Sequence, residues 1–220
     1  MIPPVPRLGA PERHTTLIGA EGRRRYVVRK EFHPMIYMFL APGFEEVEAL
    51  APLDLLRRAG LTVTTVAITP SETERAVTGS HGITVLADMT AAQMRASMEA
   101  ASIEAVILPG GMPGTTNLDA SPLVEDTLAL AHRLDAYLCA ICAAPLVLGK
   151  RGYLRGKRAT CFPGFEDYLT GATVGGKVIR DGKVITAAGM GVAQEFGLEM
   201  VSALVSPRVA GELRAAIQSL

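Results

Sequence analysis

From residue 35 onward, short apolar runs alternate with longer stretches in which apolar positions recur every three or four residues. That alternation predicts βα units and a mainly parallel sheet. A first strand is expected over 36–41. A helix over 43–59 follows, with Val47, Leu50, Leu53 and Leu56 on one face, Pro52 inside it and Gly60 placed to end it. Residues 61–68 are rich in β-branched side chains and suit a second strand. Residues 77–80 and 83–86 read as short strand pieces around Gly82. A buried strand over Ile103–Leu108 stops at Pro109, and a helix over 121–134 has Ser121 as N-cap with Pro122 at its first position. A strand over 136–141 runs into a short helix over 143–150, with Cys142 at the junction. Strand pieces at 177–179 and 183–187 flank Asp181-Gly182, a pair favoured in tight hairpins. Helices over 193–205 and within 207–220 complete the pattern.

The first 34 residues break this pattern. They carry Pro3, Pro4, Pro6 and Pro11 and the basic cluster Arg23, Arg24, Arg25, Arg29 and Lys30, without a strong period. No continuous apolar segment supports a signal peptide, and Glu12, Glu21 and Glu31 are out of place in a transit peptide. The expectation is an extension over 1–34, either a flexible tail or an overextended start, with the functional domain beginning near Met35. A chain of 220 residues that is 49% hydrophobic suffices for one domain with a sizeable core. The formal net charge is zero, and the periodic part lacks the long basic run of a nucleic-acid binder. Three cysteines are too few for a disulfide framework, which favours a reducing compartment, the cytoplasm, and leaves free thiols. No apolar run approaches the roughly 18 to 20 residues of a membrane span.

Three stretches carry candidate chemistry. In Ala140-Ile141-Cys142-Ala143-Ala144, small residues flank a cysteine at a strand-to-helix turn, an arrangement similar to a nucleophile elbow with cysteine in place of serine. Such a turn exposes sulfur at the carboxyl edge of the sheet and aims a helix amino end at it, which raises thiolate character. By itself the turn fits a small buried hydrophobe equally well. In Pro109-Gly110-Gly111-Met112-Pro113-Gly114, the glycines open the backbone to a ligand, and Gly111 with Ala143 can form an oxyanion hole. An ordinary strand-to-helix loop has the same composition. Glu45, Glu46 and Glu48 follow the first strand at the same edge. Dipole compensation accounts for Glu45 and Glu46, while the spacing leaves open whether Glu48 reaches Cys142.

Taken in order, Ala41-Pro42-Gly43-Phe44-Glu45-Glu46-Val47-Glu48, Leu108-Pro109-Gly110-Gly111, Ala140-Ile141-Cys142-Ala143-Ala144-Pro145 and the Asp181-Gly182 hairpin resemble the ThiJ/PfpI superfamily, also written DJ-one/PfpI. They are most similar to the branch of the parkinsonism-associated protein deglycase, and the resemblance covers residues 35–206. It implies an α/β fold, a flavodoxin-like three-layer sandwich with a mainly parallel sheet, of the class I glutamine amidotransferase type. It further implies Cys142 as nucleophile, Glu48 as its carboxyl partner, and Gly111 and Ala143 as oxyanion donors with Gly110 beside them. The implied activity is cofactor-independent processing of a small aldehyde or glycated substrate, of glyoxalase III or deglycase type, in a homodimer. The alternative is a redox sensor or chaperone-like stress protein that acts through oxidation of Cys142. An ionised Glu48 would raise the thiol pKa, whereas a protonated one would donate to the thiolate and lower it. The expectation is a neutral Glu48 that depresses Cys142.

Two departures stand out. A histidine often occupies the segment aligned with Thr160-Cys161-Phe162-Pro163, and here Phe162 stands in its place, removing a nearby base. Protease-like relatives follow the cysteine with histidine, and here Ala143 follows, so peptidase activity is not expected. Of His14, His33, His81 and His132, only His81 is placed for an accessory role, with an exposed loop as the competing assignment. Cys139 and Cys142 form a Cys-x-x-Cys string, but Cys139 lies within a strand, unlike a redox dithiol. Cys161 is assigned as structural, a resolving role being the alternative. No cysteine or histidine cluster has metal-ligand spacing, so no metal is expected.

Overall fold

The computed structural model describes residues 17–18, 24–25, 35–98 and 102–218. The chain divides into two compact units, Met1–His33 and Pro34–Leu220. In the first, Leu17–Ile18 pairs antiparallel with Arg24–Arg25. The rest of the expected extension, with His14 and His33, lies outside the described residues.

The second unit begins with β1 (Met35–Leu40), α1 (Glu46–Arg58) and β2 (Val63–Ala67). A hairpin of β3 (Ala76–Thr78) and β4 (Thr84–Leu86) precedes β5 (Met89–Thr90) and α2 (Ala91–Ser97). Then come β6 (Ile103–Leu108), α3 (Gly114–Asp119), α4 (Pro122–Arg133), β7 (Tyr137–Ile141) and α5 (Pro145–Lys150). The parallel pair β8 (Arg158–Ala159) and β9 (Thr173–Val174) leads to the hairpin of β10 (Val178–Asp181) and β11 (Val184–Ala187). Helices α6 (Ala193–Leu204) and α7 (Pro207–Ala216) follow. Among the described residues, no helix is long and apolar enough to cross a membrane.

Seven strands form one sheet in the order β10-β11-β7-β6-β1-β2-β5. Every neighbouring pair is parallel except β10 with β11. A parallel sheet must be covered on both faces, and the strand period of two supplies an apolar side chain to each. Ile36, Met38 and Leu40 of β1 join one core with Leu53 and Leu56 of α1 and Phe196 and Met200 of α6. Tyr37 and Phe39 join the other, with Leu123, Val124 and Leu128 of α4 and Val147 of α5. The result is the expected three-layer sandwich.

Helix α1 departs from its sequence reading. Gly43 and Phe44 form a turn, in which the Phe44 N–H donates to the Ala41 carbonyl at 2.9 Å, and the helix starts only at Glu46. Glu45 caps it by accepting the Glu48 N–H at 2.6 Å. The buried face is Ala49, Pro52, Leu53 and Leu56, while Val47 is 44% exposed. That face is set by α6: a Cβ on Gly197 would lie 2.9 Å from Pro52 Cα, so the two helices close directly over a glycine. Sequence periodicity also missed β5, α2, α3 and the β8–β9 pair, all too short to repeat a period.

The topology selects the site. From β1 the chain moves one way to β2, and it later returns to place β6 on the other side of β1, so the loops after β1 and β6 part over a crevice at the carboxyl edge. The carboxyl ends of β7 and β11 stand beside it.

Candidate active site

Cys142 terminates β7 with φ of 63°, in the left-handed region that non-glycine residues seldom enter. The turn is held from both sides. Its N–H donates to the Ala187 carbonyl at the end of β11, and its carbonyl accepts the Phe162 N–H, both at 2.8 Å. Within the turn, the Ala144 N–H reaches the Ile141 carbonyl at 3.0 Å. These bonds offset the backbone strain and present the half-buried sulfur above the sheet, as an elbow does.

Glu48, on the first turn of α1, is 1% exposed. Its carboxylate bonds the Cys142 side chain and accepts N–H groups from Gly110, at 3.0 Å, and from Met190. Gly110 is the spacer: a Cβ there would stand 2.5 Å from Glu48 Oε2 and 2.6 Å from Cys142 Cβ. Its N–H therefore serves Glu48, and its carbonyl accepts the Glu45 N–H at 2.9 Å. The backbone N–H groups of Gly111 and Ala143 converge on the sulfur, the pair of donors expected from sequence.

Burial pushes the Glu48 carboxyl up to about 7. Its bond to Cys142 opposes this, neighbouring Glu45 adds to it, and the Gly110 and Met190 donors oppose it again. Cys142 is pushed up to about 12, first by burial, then by the charge and hydrogen bond of Glu48, against the pull of the Gly111 and Ala143 N–H groups. The expectation of a depressed thiol is corrected. Helix α5 has six residues and a small dipole, whereas burial and an adjacent carboxylate both disfavour a thiolate. Glu48 does hold its proton more tightly than an ordinary carboxyl, but at about 7 it is half ionised at neutral pH and not the neutral group expected. Above about pH 7 the pair is a thiol donating to a carboxylate, a nucleophile in contact with its own base.

His81 sits at the tip of the β3–β4 hairpin, with its side chain 70% exposed and Nδ1 3.0 Å from Glu46 Oε2. Its partners are Glu46, Glu45 and Ser80, and the structure does not bring it to Cys142 or Glu48. Glu46 is buried and accepts the His81 and Ile83 N–H groups at 2.8 and 3.3 Å. Burial opposes its ionisation, but these bonds and the His81 ring pull it down to about 2. Glu46 thus fastens the hairpin to α1, a role that dipole compensation did not capture. Glu45, Glu46 and His81 place ligand-type atoms within 4.8 Å of one another, a grouping the sequence reading did not anticipate. The Glu46 oxygens are already occupied, and the positive end of α1 opposes a cation there.

Cys139 is fully buried in the α1–α6 core, where burial raises its thiol. Cys161 is buried in the opposite core, and burial pushes its thiol up to about 11. Phe162 is half exposed beside the reactive pair. Sequence reasoning missed Ala187 and Met190, which bond the elbow and Glu48 through their backbones. The sole signal for them was the glycine-rich 189–191 stretch at a carboxyl strand edge. A cleft of about 390 Å³ between Pro42, Ile68, Arg95 and Leu123 includes none of these groups.

The family model described as the DJ-1/PfpI family matches residues 34–203. Protein dj-1beta of Drosophila melanogaster is 37% identical over 170 residues, 76% of this chain and 87% of that protein. The glutathione-independent glyoxalase DJR-1.2 of Caenorhabditis elegans is 30% identical over 172 residues, 77% of this chain and 87% of that protein. Among solved structures, oxidised DJ-1 of Toxoplasma gondii matches with a TM-score of 0.77 at 30% identity, over 84% of this chain and 98% of that one. Sequence motifs, sheet order and these likenesses converge: the chain belongs to the DJ-1/PfpI family.

Proposed function

We propose that this protein converts reactive dicarbonyls, free or released from early adducts, into hydroxy acids through Cys142, without a bound cofactor. The observation that carries this reading is the buried contact between Cys142 and Glu48, with the Gly111 and Ala143 N–H groups converging on the same sulfur. Sulfur adds to the aldehyde carbon while Glu48 takes the thiol proton. The carbonyl electron pair moves to oxygen, where the two N–H groups hold the charge until the proton is returned. Glu48 then carries the hydrogen on that carbon, as a proton, to the neighbouring carbonyl carbon by way of an enediol. The first carbon is oxidised to a thioester as the second is reduced to an alcohol, so no external oxidant is needed. Water cleaves the thioester and restores the thiol. The Caenorhabditis elegans relative described as a glutathione-independent glyoxalase supports this reading. A homodimer acting in the cytoplasm belongs to the same proposal.

Lactate formation from methylglyoxal, with chelator present and contaminating glyoxalases removed, tests it. Cys142→Ser is expected to lose about a thousandfold or more of kcat/KM; equal rates in the two proteins reject the enzyme. The second reading is a sensor in which Cys142 oxidises to sulfinate, supported by donors already placed around the sulfur and by the oxidised Toxoplasma gondii relative. Intact mass and peptide mapping after mild peroxide decide it, and oxygen addition elsewhere but not at Cys142 counts against it.

A further inference from the structure

Phe162 is the unexplained residue of the site. It stands where a base was expected, and an aromatic ring left 48% exposed beside a buried reactive pair leaves apolar surface in water. Its placement is fixed from the backbone, because its N–H donates to the carbonyl of Cys142 itself at 2.8 Å. The ring leans over Gly189: a Cβ on that glycine would stand 3.3 Å from Phe162 Cδ2, 3.8 Å from Cε2 and 3.9 Å from Glu48 Oε1. The ring edge and the carboxyl oxygen thus border one point. Met190, next in the chain, is 54% exposed and donates its N–H to the Glu48 carboxylate. Each member of the reactive pair is therefore bonded to the backbone of an exposed apolar residue.

We propose that the Phe162 ring is a specificity wall that makes Cys142 prefer carbonyl compounds bearing an aromatic or comparably bulky apolar group on the carbon beside the reacting one. A methyl group at that place leaves the ring wet, whereas a phenyl group covers it and is itself desolvated. Met190 extends the apolar border on the Glu48 side. The wall deepens the dicarbonyl-processing reading and rests on it for the natural substrate class, but its effect on the sulfur is measurable without turnover.

The test therefore has two arms, each reading a ratio in which the intrinsic reactivity of the compounds cancels between wild type and variant. In the first, kcat/KM is measured for phenylglyoxal and methylglyoxal in the full-length wild-type protein, Phe162→Ala and Phe162→Leu. In the second, the rate of Cys142 alkylation is measured with phenacyl bromide and bromoacetone, with Cys142→Ser as blank. There sulfur bonds to the methylene carbon, bromide leaves with the electron pair of the broken bond, and the thiol proton passes to solvent. The aryl-to-methyl ratio is expected to fall about tenfold in Phe162→Ala in both arms, and less in Phe162→Leu. Matching circular dichroism and melting curves verify that the variants fold. An alkylation ratio unmoved by Phe162→Ala overturns the wall whatever the turnover arm gives. A ratio that falls while no protein turns over either glyoxal leaves the wall standing and removes the dicarbonyl reading instead.

Discussion

At the scale of the residue, the chemistry rests on one proton held between two side chains. Glu48 titrates near 7, and the thiol it touches is far harder to ionise, so the reactive form is the carboxylate poised to accept the Cys142 proton. That form fills as pH rises, so kcat/KM for methylglyoxal is expected to climb up to about tenfold per pH unit below 7 and to level above it. Glu48→Gln removes this limb and lowers the rate by about a hundredfold or more. An acid limb of unchanged midpoint in that variant would show that another group titrates. Stability moves the opposite way. A carboxyl raised in the folded state contributes stability below its unfolded value of about 4.5, and that contribution is lost as pH rises through about 7. Glu48→Gln should therefore gain stability relative to wild type over that interval, as measured by urea midpoints. Gly110→Ala forces a carbon between Cys142 and Glu48; it is expected to abolish turnover and to cost about 1 to 3 kcal/mol in denaturant unfolding. The positions of Cys142, Glu48, Gly111 and Ala143 beside strand ends were legible in the apolar runs, whereas the pairing of Glu48 with Cys142 was implied by the family resemblance and left open by the spacing. The direction of the Cys142 shift was not legible, because it sums burial with the opposing influences of Glu48, Gly111 and Ala143, which follow three different strands.

At the scale of the element, the hairpin of β3 and β4 and the start of α1 behave as one piece through Glu46. Its Oε1 accepts the N–H groups of His81 and Ile83 and its Oε2 faces the His81 ring and the Ser80 hydroxyl, so glutamine keeps the first two bonds but loses the charge and the Oε2 acceptor. Glu46→Gln is expected to lose about 1 to 3 kcal/mol at pH 6 in urea unfolding. Because the folded value is lowered to about 2, the advantage is present above the unfolded value of about 4.5 and is lost as pH falls toward 2. The gap between the two proteins should therefore shrink at pH 3; an equal gap at both pH values would assign it to packing. No sequence pattern pointed to this tie, since a glutamate in the first turn of a helix has a sufficient reason to be there. The same limit explains α1, where a period of 3.6 fixes an apolar stripe but not the turn at which the helix begins. Gly43, with φ of 84°, delays the start to Glu46, so Val47 faces out although its spacing marked it for the core. Strands β1 and β6 needed no such help, because each is six consecutive residues buried or nearly so between two helical layers.

At the scale of the molecule, the reactive groups hang from the carboxyl edge of one sheet, and Phe162, after β8, reaches them from outside it. Glu48 follows β1, Gly110 and Gly111 follow β6, Cys142 and Ala143 follow β7, and Ala187 and Met190 close β11. All of these lie in the unit that begins at Pro34, and its sheet is covered on both faces by helices from the same unit. A chain shortened to residues 35–220 thus keeps both cores, all seven strands and each hydrogen bond on Cys142 and Glu48. Its melting temperature is expected within about 4 °C of the full chain, the shift that roughly 1 kcal/mol produces in a domain of this size. Methylglyoxal turnover is expected to change by less than about twofold, since a larger change requires transition-state contacts that the removed segment would have to supply. A melt lowered by about 10 °C or more would instead assign residues 1–34 a share in the folded core. Retained stability with lost turnover would assign them a part in the site, and the independence of the α/β unit would then hold for folding but not for function.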